Sequence, residues 1–361
     1  MDNFNEQNKN MNTCEKKSSY GCLKWFFIFS LLLIVFLIFP AACILVLVKG
    51  VSDDNNEFST FLSTGESFNE KFISGNSSSK NKIAVIDIKG VITGNDSAWG
   101  TKIANSDRIV SELKQAAADD DVVAVILKLN TPGGEVTAAD DIYHQIKKLK
   151  KTTGKPVVAS MGALAASGGV YIAVAADYII ANKLTTTGSI GVIIQTYNYT
   201  ELLKKIGVNA ETYTSGPMKD LLNGARPRTE DEKQIINKLI KEVYMDFARN
   251  VADGRPKISL EMITNTSLGD GRIFSGRQAL ENGLVDQLGH FDDAVEKSLE
   301  MAKINGEDYQ VISYRKPMSF SEIFANISAE NRKINLNIIP NNGIRSEFPE
   351  NGKLYLLPTV W

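Results

Sequence analysis

The chain has 361 residues, enough for one large domain or two small ones. Hydrophobic residues make up 43% of the sequence, a proportion typical of a packed globular protein. The 40 basic and 42 acidic side chains leave a net charge of -2. This balance excludes a strongly basic nucleic-acid-binding protein, and we predict no nucleic acid partner.

Cysteine and histidine are too few to suggest a metal centre. Cys14, Cys22 and Cys43 all lie in the N-terminal part, so the rest of the chain has no disulfide and no thiolate site. His144 and His290 are the only histidines, and a zinc site without nearby cysteine would need mostly carboxylate ligands. We therefore predict no metal and no cofactor.

An apolar stretch near the N-terminus is long enough to cross a membrane. Residues 25–48 carry no charge and are bounded by Lys24 and Lys49, and about 20 apolar residues span a bilayer. Several lysines precede the stretch and acidic residues follow it, so the positive-inside tendency places the N-terminus in the cytoplasm. We expect a single-pass anchor in the cell (inner) membrane, with the bulk of the chain on the extracytoplasmic side.

A cleaved signal peptide is the alternative interpretation of this stretch. Pro40–Cys43 resembles a lipoprotein cleavage site. However, the apolar run is long for the core of a signal peptide, and it continues from Ile44 to Val48 directly after the cysteine. These two features favour an uncleaved anchor.

After the apolar stretch comes a Ser-, Asn- and Gly-rich segment, residues 49–81, which we expect to be a solvated linker with at most a short helix. Strand and helix patterns then alternate, which predicts an α/β fold with parallel strands and right-handed crossovers. The predicted strands are Ile83–Ile88, Val122–Leu129 (buried on both faces), Pro156–Ser160, Tyr178–Ala181 and Gly191–Ile194. The predicted helices are Ser106–Ala118, Thr137–Lys151, Gly168–Ala176, Thr229–Asn250 with a capping box from Thr229 to Glu232, one headed by Ser275, and Asp292–Lys303.

Two familiar site types are not indicated. A Ser-His-Asp triad needs a histidine beside the nucleophile, but His144 lies in a charged helix and His290 at a turn. A surface role is the simpler interpretation of both. The sequence has no G-x-x-x-x-G-K-[ST] phosphate loop, so we do not predict ATP use.

Three other segments can carry chemistry. Asn130–Gly134 follows a buried strand, and its glycines can turn N–H groups outward to hold an oxyanion, although an ordinary turn fits as well. Ser160–Gly169 places Ser167 at a strand-to-helix transition, where the helix N-terminus favours negative charge. A reactive hydroxyl and a close-packed capping serine are equally good interpretations of that segment.

The third segment, Tyr213–Asp220, holds a lysine between Met218 and an acid. A lysine has an ordinary pKa of ~10.4, and lowering it by ~3 units for base catalysis costs about 4 kcal/mol of desolvation. Met218 and Pro217 can supply apolar cover for Lys219. A salt bridge to Asp220 or a solvated loop charge is the plainer alternative.

The order of these motifs resembles the signal peptide peptidase A family of Ser–Lys proteases. The similarity covers roughly residues 82–305, and Lys219 follows Ser167 by 52 residues, as in the family's short form. The matching motifs are Ala165–Gly169, Thr187–Val192 and Ser215–Asp220, with Gly271–Ala279 and Gly283–Asp286 resembling the C-terminal signature.

The resemblance implies a crotonase and Clp-protease type of fold, built from stacked β-β-α units. It implies Ser167 as nucleophile, Lys219 as general base, Gly134 and Gly168 as oxyanion-hole donors, and Ser189 as the hydroxyl that orients the lysine. Family members form rings, and the short form is similar to an octamer in which a neighbouring subunit supplies the lysine. The implied substrates are signal-peptide remnants and other apolar peptides near the bilayer, cleaved through an acyl-enzyme.

We therefore divide the chain into a cytoplasmic segment, an anchor, a linker, a Ser–Lys protease domain and a tail of unassigned role, at 1–24, 25–48, 49–81, 82–317 and 318–361. Two other functions stay open. A crotonase-like enzyme acting on acyl-thioesters would share the fold and the glycine turn, although the anchor and the Ser–Lys pair count against it. A non-catalytic membrane scaffold would also share the fold.

Overall fold

The computed structural model describes residues 68–94 and 103–316, and the backbone of a two-residue strand at Tyr355–Leu356, all within one compact unit, Glu66–Trp361. Its fold is α/β with mostly parallel strands, as predicted. The strands are β1 (Asn69–Gly75), β2 (Lys82–Lys89), β3 (Val91–Thr93), β4 (Ile103–Asn105), β5 (Val122–Thr131), β6 (Gly134–Glu135), β7 (Val157–Ala166), β8 (Tyr178–Ala181), β9 (Thr186–Gly188), β10 (Ile273–Ser275), β11 (Gln287–Leu288), β12 (Gln310–Arg315) and β13 (Tyr355–Leu356). The α-helices are α1 (Ser106–Ala118), α2 (Val136–Thr153), α3 (Gly168–Ala173), α4 (Thr200–Lys205), α5 (Glu230–Gly254), α6 (Leu260–Asn265), α7 (Gly276–Glu281) and α8 (Phe291–Ala302).

The main sheet is parallel at its centre. In the described part of the chain it has nine strands in the order β1-β12-β2-β5-β7-β8-β11, with β9 pairing to the end of β7 and β10 pairing to β9. The β1–β12 and β9–β10 pairs are antiparallel, and the central pairs are parallel. Because β5 and β7 are parallel neighbours, the turns that follow them lie at the same edge of the sheet.

The central strands are buried on both faces, which explains their nearly continuous apolar sequence. In β5, Val125 and Leu127 belong to the larger core, which also contains apolar residues of α1, α2 and α3. Ile126 belongs to a smaller core on the opposite face, formed with residues of α8. The predicted two-sided burial of Val122–Leu129 is confirmed.

A second, four-stranded sheet supplies one wall of the candidate site. Its order is β13-β6-β3-β4, with Ile92 of β3 opposite Gly134 of β6. The Ile92 amide also donates to the Gly133 carbonyl at 2.9 Å. This contact fixes the turn between β5 and β6.

Most predicted helices agree with the structure to within a few residues. The helix at Ser106–Ala118 has the predicted bounds, and α5 begins with the predicted capping box, in which Thr229 and Glu232 exchange backbone contacts. The helix predicted over Gly168–Ala176 ends earlier, at Ala173.

Two strand predictions need correction. The strand predicted over Pro156–Ser160 continues to Ala166, because the small residues at its end pair with β9. Residues 191–194 hold only an isolated bridge residue where we predicted a strand. The strand lies earlier, at Thr186–Gly188, and ends where Gly188 and Ser189 take positive φ angles of 81° and 54°.

The predicted linker, 49–81, is wrong over its last part. β1 pairs antiparallel with β12, and all seven of its residues are exposed, so its sequence lacks the apolar alternation that would reveal a strand. Just before it, Gln115 of α1 accepts the Phe68 amide at 2.8 Å and donates to the Phe68 carbonyl at 2.9 Å. These contacts tie the segment to the domain.

The predicted anchor at residues 25–48 lies outside the described residues, as does nearly all of the tail at 318–361. Within the ranges that the structure describes, no helix is both long and apolar enough to cross a membrane.

We predict that Glu112 makes the domain less stable as pH rises from about 5 to 7. Its side chain is 3% exposed, and desolvation raises its pKa to about 7 despite a 2.5 Å contact with Arg108. The folded state therefore binds a proton that the unfolded state has already lost in this window, and the shift from 4.5 is worth about 3 kcal/mol. Urea unfolding at pH 5 and pH 8 should show a smaller pH dependence for Glu112→Gln than for the unmodified chain; equal dependence would contradict the assignment.

Candidate active site

Ser167 ends β7 and begins α3 in a strained backbone conformation. Its φ of 53° and ψ of −111° lie outside the regions that non-glycine residues favour, which costs on the order of 1–3 kcal/mol. The Ser167 amide donates to the Gly188 carbonyl at 2.8 Å, and Ala166 pairs with Gly188 in the parallel register of β7 and β9. These bonds hold the Ser167 backbone in this turn.

The Ser167 hydroxyl is buried and free. The residue is 0% exposed, and its Oγ has no hydrogen-bond partner among the described residues. The side chain does not cap α3, so the capping-serine interpretation is wrong. Because a buried polar atom without a partner is costly, this hydroxyl needs an explanation beyond packing.

The two positions predicted as oxyanion donors, Gly134 and Gly168, lie side by side. A methyl group added to Gly168 would lie 3.3 Å from the Gly134 nitrogen and 3.1 Å from Gly133 Cα. The turn that presents Gly134 is held from within, because the Gly133 amide donates to Thr131 Oγ1 at 3.0 Å. The structure therefore brings Ser167 and both glycines together.

Glycine is required at two places around this centre for steric reasons. A Cβ on Gly134 would lie 1.9 Å from the Ile92 carbonyl oxygen, so no side chain fits between β6 and β3. Gly188 has φ of 81°, and a Cβ there would lie 2.5 Å from the Phe274 ring. Both glycines permit the close backbone contacts that define the site.

Ser189, predicted to orient the lysine, directly follows the residue that binds the Ser167 amide. It is 3% exposed and has φ of 54°, and its own amide donates to the Arg272 carbonyl at 2.7 Å. Gly188 therefore adjoins two serines with positive φ. Ser167 donates its amide to the Gly188 carbonyl, and Ser189 follows Gly188 in the chain.

Lys219 makes no hydrogen bond to Ser167 within one chain. It is exposed, its amide donates to the Gly216 carbonyl at 3.1 Å, and its side chain has no ion pair or hydrogen bond to any described residue. The alternative of a salt bridge to Asp220 is wrong, because Asp220 is bound to Arg226. The other alternative, a solvated lysine in a loop, agrees with the exposed position of Lys219 in a single copy.

Sequence reasoning missed the ion-pair cluster beside Lys219. Arg226 donates to both oxygens of Asp220, at 2.7 and 2.6 Å, and also to the Glu232 carboxylate. The hydrogen bonds from Arg226 lower the pKa of Asp220 and the pKa of Glu232 to about 2 each. The sequence gives no signal that Arg226 would bind Asp220, because the two residues lie six positions apart in a loop without a regular pattern. Only the position of Glu232, at the start of α5, could be predicted, from the capping box.

Neither histidine serves Ser167. His144 is exposed on α2, and His290 is exposed at the start of α8, with Nδ1 3.4 Å from the Asn182 side-chain nitrogen. The described residues therefore contain no histidine bound to the Ser167 hydroxyl, which agrees with the surface roles predicted for both.

Two strand edges lie beside the centre. In β7, Gly162 and Ala163 are exposed and lie between the registers that pair this strand with its neighbours. On the other side, β6 pairs antiparallel with the chain's own β13, with Leu356 opposite Gly134. The edge at Gly134 therefore accepts an extended backbone.

Residues 149–305 match peptidase family S49. A protein of Enterococcus faecium provisionally named signal peptide peptidase SppA is 38% identical over 241 residues, which cover 66% of this chain and 68% of that protein. A protein of Synechocystis provisionally named as a protease is 38% identical over 240 residues, covering 66% of this chain and 81% of that protein. Protease 4 of Haemophilus influenzae is 37% identical over 221 residues, covering 61% of this chain and 35% of its own length.

We predict that Ser167→Ala stabilises the unassembled chain. The substitution removes a buried hydroxyl that has no partner among the described residues, which should raise stability by about 1 kcal/mol. For a domain of this size that corresponds to a rise in Tm of about 2 °C. Thermal unfolding in one detergent checks it.

Thr187→Val is the matched control. Thr187 is also buried, but its Oγ1 donates to the Ala165 carbonyl at 2.7 Å, so this nearly isosteric change should lower Tm by a similar amount. If both substitutions lower Tm, the Ser167 hydroxyl has a partner in the folded protein.

Proposed function

The chain belongs to peptidase family S49 and is a serine peptidase, and we propose that Ser167 is its nucleophile and that Lys219 of a neighbouring copy is its general base. Acyl transfer then proceeds in two steps. The neutral Lys219 amine takes the proton of Ser167 Oγ as this oxygen attacks the peptide carbonyl. The resulting ammonium protonates the leaving amine, and water hydrolyses the acyl-enzyme to release the acid and free Ser167.

The observation that carries this proposal is the buried hydroxyl of Ser167, which has no hydrogen-bond partner in the part of the chain that the structure describes. A nucleophile must keep a lone pair and a proton available for substrate and base, and it is best held rigidly in the attacking direction. The amides of Gly134 and Gly168 are the donors proposed for the oxyanion, since the two residues adjoin beside Ser167.

A base supplied by another copy fits the position of Lys219. The lysine is exposed in one copy, and the segment around it is exposed and partly apolar, with Tyr213 91% and Met218 37% exposed. A lysine base needs desolvation, which contact with a second subunit would supply. We propose a ring of copies, an octamer by resemblance to the short form, in which Ser189 orients the incoming amine.

The proposed substrates are signal-peptide remnants and other apolar peptides. The name of the Enterococcus relative supports this class, and the antiparallel pairing of β6 with β13 supports an extended backbone bound beside Gly134. A substrate strand that took the place of β13 at this edge would bring its carbonyl near the two donor amides.

We further propose that residues 25–48 anchor the chain as one span, with the peptidase domain outside the cytoplasm. A peptidase held at the bilayer meets apolar peptide remnants where they leave the membrane.

We assign the domain to the crotonase and Clp-protease type of fold. The short β3–β4–β6 sheet beside the main parallel sheet supports that assignment. Being a serine peptidase, the chain is not the acyl-thioester enzyme that we considered as an alternative.

We predict that two inactive variants complement each other. Ser167→Ala keeps the lysine and Lys219→Ala keeps the serine, so a site formed between two subunits is complete when each variant supplies its intact half. If random 1:1 mixing occurs during reassembly in detergent, about a quarter of the sites should regain activity. Hydrolysis of an apolar signal-like peptide, with each variant alone as control, measures this.

Labelling with a serine-reactive fluorophosphonate separates the possible failures. Labelling should be lost in Ser167→Ala and should return in the mixture only on the Lys219→Ala subunit. Lost activity in both variants without complementation would place the lysine in the same chain as its serine. Peptide cleavage unchanged in Ser167→Ala would refute the nucleophile and favour the scaffold hypothesis.

A further inference from the structure

Arg226 lies between two carboxylates, one of which adjoins the proposed base. Its Nε and Nη2 bind both oxygens of Asp220, at 2.7 and 2.6 Å, and its Nη1 binds Glu232 at 3.0 Å. Two-pronged contacts of this kind fix direction as well as charge. The Asp220 side chain is 15% exposed, so the cluster is partly shielded from water.

The cluster is anchored to a rigid element. Glu232 is 1% exposed and also accepts the Thr229 amide at 2.7 Å, which completes the capping box of α5. The other end of α5 is held in the core by Phe247 and Val251. Arg226 therefore connects the loop that carries Lys219 to the first turn of a 25-residue helix.

Asp220 would otherwise compete for the lysine. It is the next residue along the chain, and a carboxylate within about 4–6 Å of an amine favours the charged form of that amine. A charged lysine cannot take the proton of a serine. A base with an acid as its neighbour therefore needs that acid to be bound elsewhere.

We propose that Arg226 and Glu232 are positioning residues for the reaction: they hold the Asp220 carboxylate away from the Lys219 amine and leave that amine free to accept the Ser167 proton. This inference rests on the proposed function. The charged groups that face Asp220 are Arg226 on its own loop and, through Arg226, Glu232 on α5. Arg228 binds Thr196 and the Leu222 carbonyl instead.

The test is the pH dependence of kcat/KM for peptide cleavage by the full-length chain in detergent. Arg226→Gln frees Asp220, so the midpoint of the acidic limb should rise by about 1 pH unit, with a loss of about 10-fold below the midpoint and a smaller loss at high pH. Adding Asp220→Asn removes the freed carboxylate, and the double variant should return the midpoint to its original value.

Two further variants guard this comparison. Arg226→Lys keeps the charge but loses the two-pronged donor, so it should raise the midpoint by less, and it stands in if Arg226→Gln does not fold. Arg249→Gln removes an exposed ion pair with Asp246 on the same helix α5 and should leave the profile unchanged.

A loss of activity in Arg226→Gln that is equal at every pH, with no rescue by Asp220→Asn, would show that the cluster only supports the loop and would overturn the proposal. An unchanged midpoint in both Arg226 variants would also overturn it. Lys219→Ala separates this failure from that of the proposed function. If Lys219→Ala keeps its activity and its acidic limb, the Ser–Lys assignment itself is wrong.

Discussion

The hydrogen bond from the Ser167 amide to the Gly188 carbonyl is the constraint on which the rest of the site depends. It closes the parallel pairing of β7 and β9 at the residue where β7 turns into α3. A strand that ended without this bond would be free to relax to an ordinary φ, and the turn that places Ser167 next to Gly168 and Gly134 would be lost. The strained backbone conformation of Ser167 is maintained because the residues near it in the chain, including Ala165, Ala166 and Val170, are buried.

The site combines two kinds of organisation. Around Ser167, positions are fixed by backbone contacts so close that glycine is the only residue that fits, as at Gly134. Around Lys219, the order comes from ion pairs at the surface. Two opposite unit charges 4 Å apart in partly shielded surroundings interact by about 4 kcal/mol. That is about the amount needed to make a lysine neutral at physiological pH, which is why the proposed base requires the carboxylate next to it to be bound elsewhere, and the structure binds Asp220 to Arg226.

The sequence predicted those parts of the fold that local patterns determine. The apolar runs of β2 and β5 and the capping box at Thr229 act within a few residues, and all are present in the structure. The exposed strand β1 and the short strand β9 escaped prediction, because only pairing with distant segments makes them strands. From the sequence, the simpler partner for Asp220 was Lys219, the residue before it. The structure instead pairs Asp220 with Arg226, six residues away across a turn.

The candidate site shows the same division. Ser167 and its two neighbouring glycines come together in one copy because strands that adjoin in one fold carry them. Lys219 is exposed in one copy and has no ion pair or side-chain hydrogen bond to the described residues, whereas a lysine base requires desolvation. Under the proposed arrangement, a second copy covers the loop that carries Lys219, and assembly supplies the desolvation that the base needs. In the proposed ring, an unassembled chain would carry both residues but lack the contact that desolvates the lysine, so it would not cut peptides before reaching its partners.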